Sequence, residues 1–204
     1  MVIKNFYVFE GIDGAGTSTQ LNVLRNRKET QNFLFTAEPT ESETGRFLRR
    51  MLKGEVPVEP VTAAYLFAAD RCEHIFGKNG VQEMINNGKT VVSDRYFFSS
   101  LAYQSVACGK DLPSLLNSPF PLPEYLFFFE INPEISLARV NARNEKKEIY
   151  EKIEMQKKIA ALYDDLISDY EKNAEKCEEM KIIRIDASKS ISEIENQIWN
   201  ILKK

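Results

Sequence analysis

The chain has 204 residues, 43% of them apolar and 28% charged, which suits a soluble globular α/β domain with a substantial core. Its formal net charge of −3 excludes a protein that coats nucleic acid, so an anionic ligand must meet a local basic pocket. Cys72, Cys108 and Cys177 are widely spaced and form no CxxC pair, which argues for reduced thiols in a cytoplasmic protein rather than a disulfide frame or zinc site.

In chain order, Met1 to Asn5 leads directly into Phe6-Tyr7-Val8-Phe9, a short apolar and aromatic run suited to a buried strand. No signal peptide or membrane-length apolar run is present, so no membrane partner is expected. Residues 10–20 read Glu-Gly-Ile-Asp-Gly-Ala-Gly-Thr-Ser-Thr-Gln. Gly11 and Gly16 have the spacing of the phosphate-loop pattern G-x-x-x-x-G-K-[ST], and Ser18 falls at its metal-binding hydroxyl position. Thr17 stands where that pattern has lysine. Ser18 to Arg27 turns helical, with Leu21 and Leu24 on one face. Strand, glycine loop and helix together aim free N–H groups at an anion, and backbone groups of residues 14–19 can cradle a polyphosphate unaided. A glycine-rich turn that binds nothing is the plain alternative, but Gly11, Gly14 and Gly16 followed by Thr17, Ser18 and Thr19 favour the phosphate reading.

A second strand, Leu34-Phe35-Thr36, ends at Glu38-Pro39; helices are predicted over 44–53 and 59–76. Thr90 to Asp94, Tyr125 to Ile131 and Ile182 to Ile185 complete five strands. Strands separated by helices imply right-handed crossovers and a mostly parallel sheet. Ligands of such sheets collect at the strands' carboxyl ends, where Glu10, Glu38, Asp94, Ile131 and Asp186 fall. From Arg139 to Lys158 the chain is densely charged, which by itself reads as a solvated helix pair. The single histidine, His74, reads as a surface or rim residue.

After the third strand come Ser93-Asp94-Arg95-Tyr96 and Ser99-Ser100-Leu101-Ala102-Tyr103-Gln104. A strand-end aspartate can hold Mg2+ through water, and the adjacent arginine can span two phosphoryl groups. With Phe9 to Gly16 upstream, the chain closely resembles the thymidylate kinase family of P-loop nucleoside monophosphate kinases. The likeness runs to Ile185-Asp186-Ala187-Ser188, similar to the family's adenine-side loop. It implies one domain over 1–204 with a three-layer P-loop NTPase fold, a five-stranded parallel sheet flanked by helices, and a helical lid at about 139–152. It also implies ATP as phosphoryl donor, Mg2+ at Ser18 and Asp94, dTMP as acceptor, and a homodimer packed through helices away from the cleft.

By the same resemblance, Gly11, Ile12, Asp13, Gly14, Ala15, Gly16, Thr17, Ser18 and Thr19 form the ATP-binding loop. Asp13 resembles the acidic residue that binds a nucleotide 3′-hydroxyl, and Arg49 the helix arginine that holds the dTMP phosphate, with Arg50 as a competing neighbour. Phe67 resembles the ring on which thymine stacks and Arg71 the donor to a thymine carbonyl; taken alone, Phe67 reads as core. Asp94 and Arg95 resemble the metal-side carboxylate and phosphate-bridging arginine. Ser99, Ser100, Tyr103 and Gln104 fall where base and sugar are read, and Arg139 and Arg143 border the lid. Two departures remove a cation: Thr17 at the lysine position, and Ala37 in Thr36-Ala37-Glu38-Pro39, where an arginine is common. Compensation by Arg139, Arg143, Lys146 or Lys147 is the expectation, since Gly14 stands where some relatives place an arginine. A kinase for another nucleoside monophosphate or a deoxynucleoside, a nucleotide-binding pseudokinase, and a general NTPase remain open at this stage.

Overall fold

In β1 (Val2–Gly11) the alternation of side chains splits a continuous apolar run between two cores: Phe6 and Val8 enter one, Tyr7 and Phe9 the other. A strand buried on both faces belongs inside a sheet covered on both sides. The computed structural model, which describes residues 1–142, 150 and 152–203, has that arrangement. After β1 follow α1 (Thr17–Arg25), β2 (Phe33–Ala37), α2 (Glu43–Leu52), α3 (Pro60–Phe76) and α4 (Val81–Asn86). Next come β3 (Thr90–Asp94), α5 (Phe97–Tyr103), α6 (Ser105–Cys108), α7 (Asp111–Asn117) and β4 (Leu122–Glu130). The chain continues through α8 (Pro133–Asn141), α9 (Ile153–Lys172), α10 (Ala174–Cys177), β5 (Lys181–Asp186) and α11 (Ile191–Leu202).

The strands pair in parallel in the order β2-β3-β1-β4-β5. β4 starts at Leu122, three residues before the expected Tyr125, because Leu122 and Pro123 pair with Val2 and Ile3. The register then shifts between Ile3 and Tyr7, where Asn5 adopts a positive φ of 61°. α1 runs from Thr17 to Arg25, starting one residue earlier and ending two residues earlier than its apolar pattern suggests.

One face of the sheet packs Val8, Leu126 and Phe128 against Phe97, Phe98, Ile159, Tyr163 and Ile167 of α5 and α9. The other packs Phe9, Phe127 and Phe129 against Leu21 and Leu24 of α1 and Ile194 and Ile198 of α11. Each such side chain, fully buried, contributes roughly 1.5–3 kcal/mol. A smaller cluster, Leu48, Met51 and Ala63, joins α2 to α3, with Phe67 packed on its edge. β1 lies between β3 and β4, and its onward connection crosses to β2, so a crevice opens at the carboxyl end of β1.

Candidate active site

The loop leaving β1 wraps tightly, with the Ala15 N–H donating to the Ile12 carbonyl at 3.0 Å. Gly14 and Gly16 have φ of 84° and 100°, conformations that suit glycine. A Cβ on Gly14 would also lie 2.5 Å from the Ser136 carbonyl oxygen of α8. Gly16 precedes α1 without a side-chain cap, so the first N–H groups of the helix are left for a ligand. The side chains of Ile12 and Ala15 point into the two cores, so these residues can offer a phosphate only their backbone. Gly11 packs against Phe129. Neither Gly11 nor Thr19 lines the cleft, whereas Asp13, Gly14, Gly16, Thr17 and Ser18 do. Thr17 is buried, and its hydroxyl carries no charge that could replace an ammonium.

The cleft has a volume of about 540 Å³ and is lined by predicted residues from the loop after β1 and from α1, α2, α3, β3 and α5. Arg95 is its most constrained member. Its φ of 73° is rare for a residue with a side chain, and its N–H donates to the Phe9 carbonyl at 2.9 Å while the Ser93 hydroxyl donates to its carbonyl at 2.7 Å. The guanidinium donates to the Gly11 carbonyl at 2.8 Å and Ser99 Oγ at 3.1 Å, and pairs with Asp13. Burial works against its charge, but Tyr103, Asp13, Tyr163 and Asp94 outweigh this and raise its pKa well above the ordinary value. The Asp13 N–H donates to the Tyr103 hydroxyl at 3.1 Å, and Gln156 donates to Asp13 Oδ2 at 3.1 Å. Burial pushes the Tyr103 and Tyr163 phenols well upward, so both act as neutral hydroxyls.

From α3, Phe67 lines the cleft together with Arg71, whose side chain is almost fully buried. Arg71 Nε donates to Glu38 Oε2 at 2.8 Å, Nη2 donates to Ser100 Oγ at 3.0 Å, and Nη1 donates to Asn117 Oδ1. Tyr103 and Gln104 are buried with access to the same cleft, and the Gln104 amide oxygen has no protein partner. Arg49 lines the cleft and donates to the Pro39 carbonyl, whereas Arg50 is exposed and turns toward Glu55. Of these two neighbours, Arg49 alone lines the cleft.

The two residues expected on the metal side, Ser18 and Asp94, lie against each other. Ser18 Oγ donates to Asp94 Oδ2, and Asp94 Oδ1 is buried without a partner. Hard oxygen donors of this kind fit Mg2+, which is held largely by water and phosphate oxygens. Among the described residues no group of three or more His, Cys, Asp and Glu could hold a metal ion. Arg139 lies half-buried on α8 and does not line the cleft. Arg143, Lys146 and Lys147 lie outside the described residues.

Several residues of the site were not foreseen. Glu10 is fully buried and accepts from the Tyr96 N–H at 2.8 Å, the Ser99 N–H at 3.1 Å, Ser99 Oγ at 2.7 Å and the Tyr163 hydroxyl at 2.8 Å. It thereby caps α5 from a neighbouring strand. Burial raises its pKa to about 7, against the opposing pull of Arg95, Ser99, Tyr163 and Tyr96. Asp70 ties Thr40 and Ser42 to α3 through three hydrogen bonds of 2.6–2.8 Å, fixing the loop that carries Pro39. His74 is not a rim residue: only 8% of its side chain is exposed, and it bonds Glu38 and Thr36. An acidic residue ending a strand was the one sequence sign available for Glu10 and Glu38. Asn117 and Gln156 gave none.

A glycine loop at a helix N-terminus, a strand-end Ser–Asp oxygen pair and a fixed arginine define a P-loop phosphotransferase. The thymidylate kinase family model matches residues 9–198. A Treponema pallidum protein assigned to that family is 39% identical over 204 residues, covering 100% of this chain and 97% of its own. The thymidylate kinase of Leptospira interrogans is 35% identical, covering 96% of this chain and 92% of its own. The structure of thymidylate kinase from Candida albicans superposes with a TM-score of 0.73 at 20% identity, covering 97% of this chain and 90% of that one, a likeness of fold. The chain belongs to the thymidylate kinase family.

Proposed function

We propose that this chain transfers the γ-phosphoryl group of ATP to dTMP, giving dTDP for dTTP synthesis. The observation that carries this reading is one cleft lined by Phe67, Arg71 and Gln104 together with the phosphate loop, Arg49 and Arg95. A flat ring, a carbonyl donor and a free amide oxygen suit a pyrimidine that has both carbonyl and N–H edges. The loop N–H groups of residues 14–19 bind ATP phosphates. Arg49 holds the acceptor phosphate in line, and Arg95 stabilises charge on the transferring group. Asp13 meets the acceptor's sugar hydroxyl, while Tyr103 and Ser99 keep Asp13 and Arg95 in place. Ser18 and Asp94 would hold Mg2+, which when bound neutralises charge on the phosphate oxygens.

Since Thr17 brings no charge, a lid over about 139–152 supplies the missing cation, from Arg139, Arg143, Lys146 or Lys147. Closure of such a lid also excludes water and suppresses ATP hydrolysis. A homodimer through α3 is in keeping with Val61 and Tyr65, both at least half exposed; sedimentation at micromolar concentration tests it. Three free cysteines agree with a cytoplasmic setting. Among the described residues no helix is long and apolar enough to cross a membrane.

A substrate panel with ATP tests the assignment. dTMP should be the preferred acceptor, with dUMP poorer by the roughly 10–200-fold that one methyl group allows. Preferential turnover of dCMP or AMP would overturn it.

A further inference from the structure

Arg71 is held by a buried relay that the transfer reaction does not itself use. Glu38 turns Oε2 toward Arg71 Nε and Nη2, both at 2.8 Å, and Oε1 toward His74 Nδ1 at 2.9 Å. His74 Nε2 lies 2.9 Å from Thr36 Oγ1. A carboxylate can only accept here, so Nδ1–H donates to Glu38, and in the neutral ring Nε2 accepts the Thr36 hydroxyl proton. The Glu38 N–H is already fixed by the Asp94 carbonyl at 3.0 Å, so the remaining freedom at this residue is the heading of its carboxylate. His74 removes that freedom. All three side chains are at most 8% exposed, so water cannot substitute for a lost bond without entering the core.

From this geometry we infer that His74 is a positioning residue for base recognition, aiming Arg71 at the cleft through Glu38. The inference rests on the reading of Phe67 and Arg71 as the thymine site, and it assigns a role to a histidine that touches no substrate. A pyrimidine with a carbonyl where cytosine has an amino group needs a donor held in one direction. A guanidinium has no acceptor for that amino group, so once it is free to turn the thymine carbonyl loses its donor and the preference for thymine falls.

The test compares wild type with His74→Leu, His74→Phe and His74→Asn, measuring KM and kcat for dTMP, dCMP and ATP, with circular dichroism and melting to confirm folding. Leucine and phenylalanine remove the donor to Glu38, and the asparagine amide restores one near the Nδ1 position. The two apolar variants should raise the KM for dTMP about tenfold and lower the preference for dTMP over dCMP by about the same factor, the size expected when a buried group loses its partner. The KM for ATP should stay unchanged, and His74→Asn should recover most of both effects. Folded apolar variants with an unchanged dTMP KM and an unchanged preference overturn the inference. So does a loss spread equally over dTMP and ATP that asparagine does not restore. Absence of dTMP turnover in the wild type would instead overturn the assignment of the site, and the inference with it.

Discussion

Glu10 places an ionisable group where four donors converge, and its pKa of about 7 has a consequence for stability. An ordinary glutamate in the unfolded chain loses its proton near pH 4.5, whereas the native one keeps it to about 7. Between these values the native state binds more protons, so this residue's contribution to stability is full below about pH 4.5 and is lost as pH rises through 7. Glu10→Gln keeps the shape and the acceptor while removing the titration. The fall in unfolding free energy from pH 5 to pH 8, measured by urea titration, should shrink by on the order of 2–3 kcal/mol relative to wild type. An unchanged pH dependence would mean that the carboxyl is ionised throughout. Phe67 carries a separate expectation. Phe67→Ala should raise the KM for dTMP by roughly 5- to 150-fold, the range of base stacking on an aromatic side chain, and leave that for ATP in place. Arg49 shows what sequence cannot settle at this scale. Neighbouring helical residues point about 100° apart, and only the docking of α2 decides which arginine faces the cleft.

At the scale of elements, the phosphate loop depends on the contact between Gly14 and α8. Gly14→Ala sets a side chain against a positive φ and against the Ser136 carbonyl at 2.5 Å. We expect a loss of at least about 2 kcal/mol, seen as a melting temperature lower by roughly 4–8 °C, together with weakened ATP binding. All five strands were legible because each is a short apolar run bounded by turns, and β1 and β4 carry aromatics on both faces. The loop and α1 were legible from glycine spacing. The short helices α5, α6 and α7 were not, because α5 has no apolar period and its cap comes from Glu10, far off in sequence. The relay from His74 was hidden for the same reason. A lone histidine on a mixed helical face gives no sign that Glu38 will arrive beneath it.

For the whole molecule, the parallel order β2-β3-β1-β4-β5 brings residues spread along the sequence from Asp13 to Tyr150 to one crevice. The net charge of −3 puts no general attraction on nucleotides, so affinity must come from that crevice. Ligand-linked melting checks this: dTMP at about 100 times its Kd should add about 2.7 kcal/mol, a rise of roughly 5–10 °C, and dCMP at the same concentration much less. The central claim is that phosphoryl transfer to dTMP proceeds although Thr17 replaces the phosphate-loop lysine. The direct measurement is dTDP formed from ATP and dTMP by the wild-type chain at catalytic concentration. Many equivalents of dTDP per enzyme, cut sharply by alanine at a lid cation, is the result expected. Bound ATP and dTMP without dTDP, even at enzyme concentrations matching substrate, would contradict it.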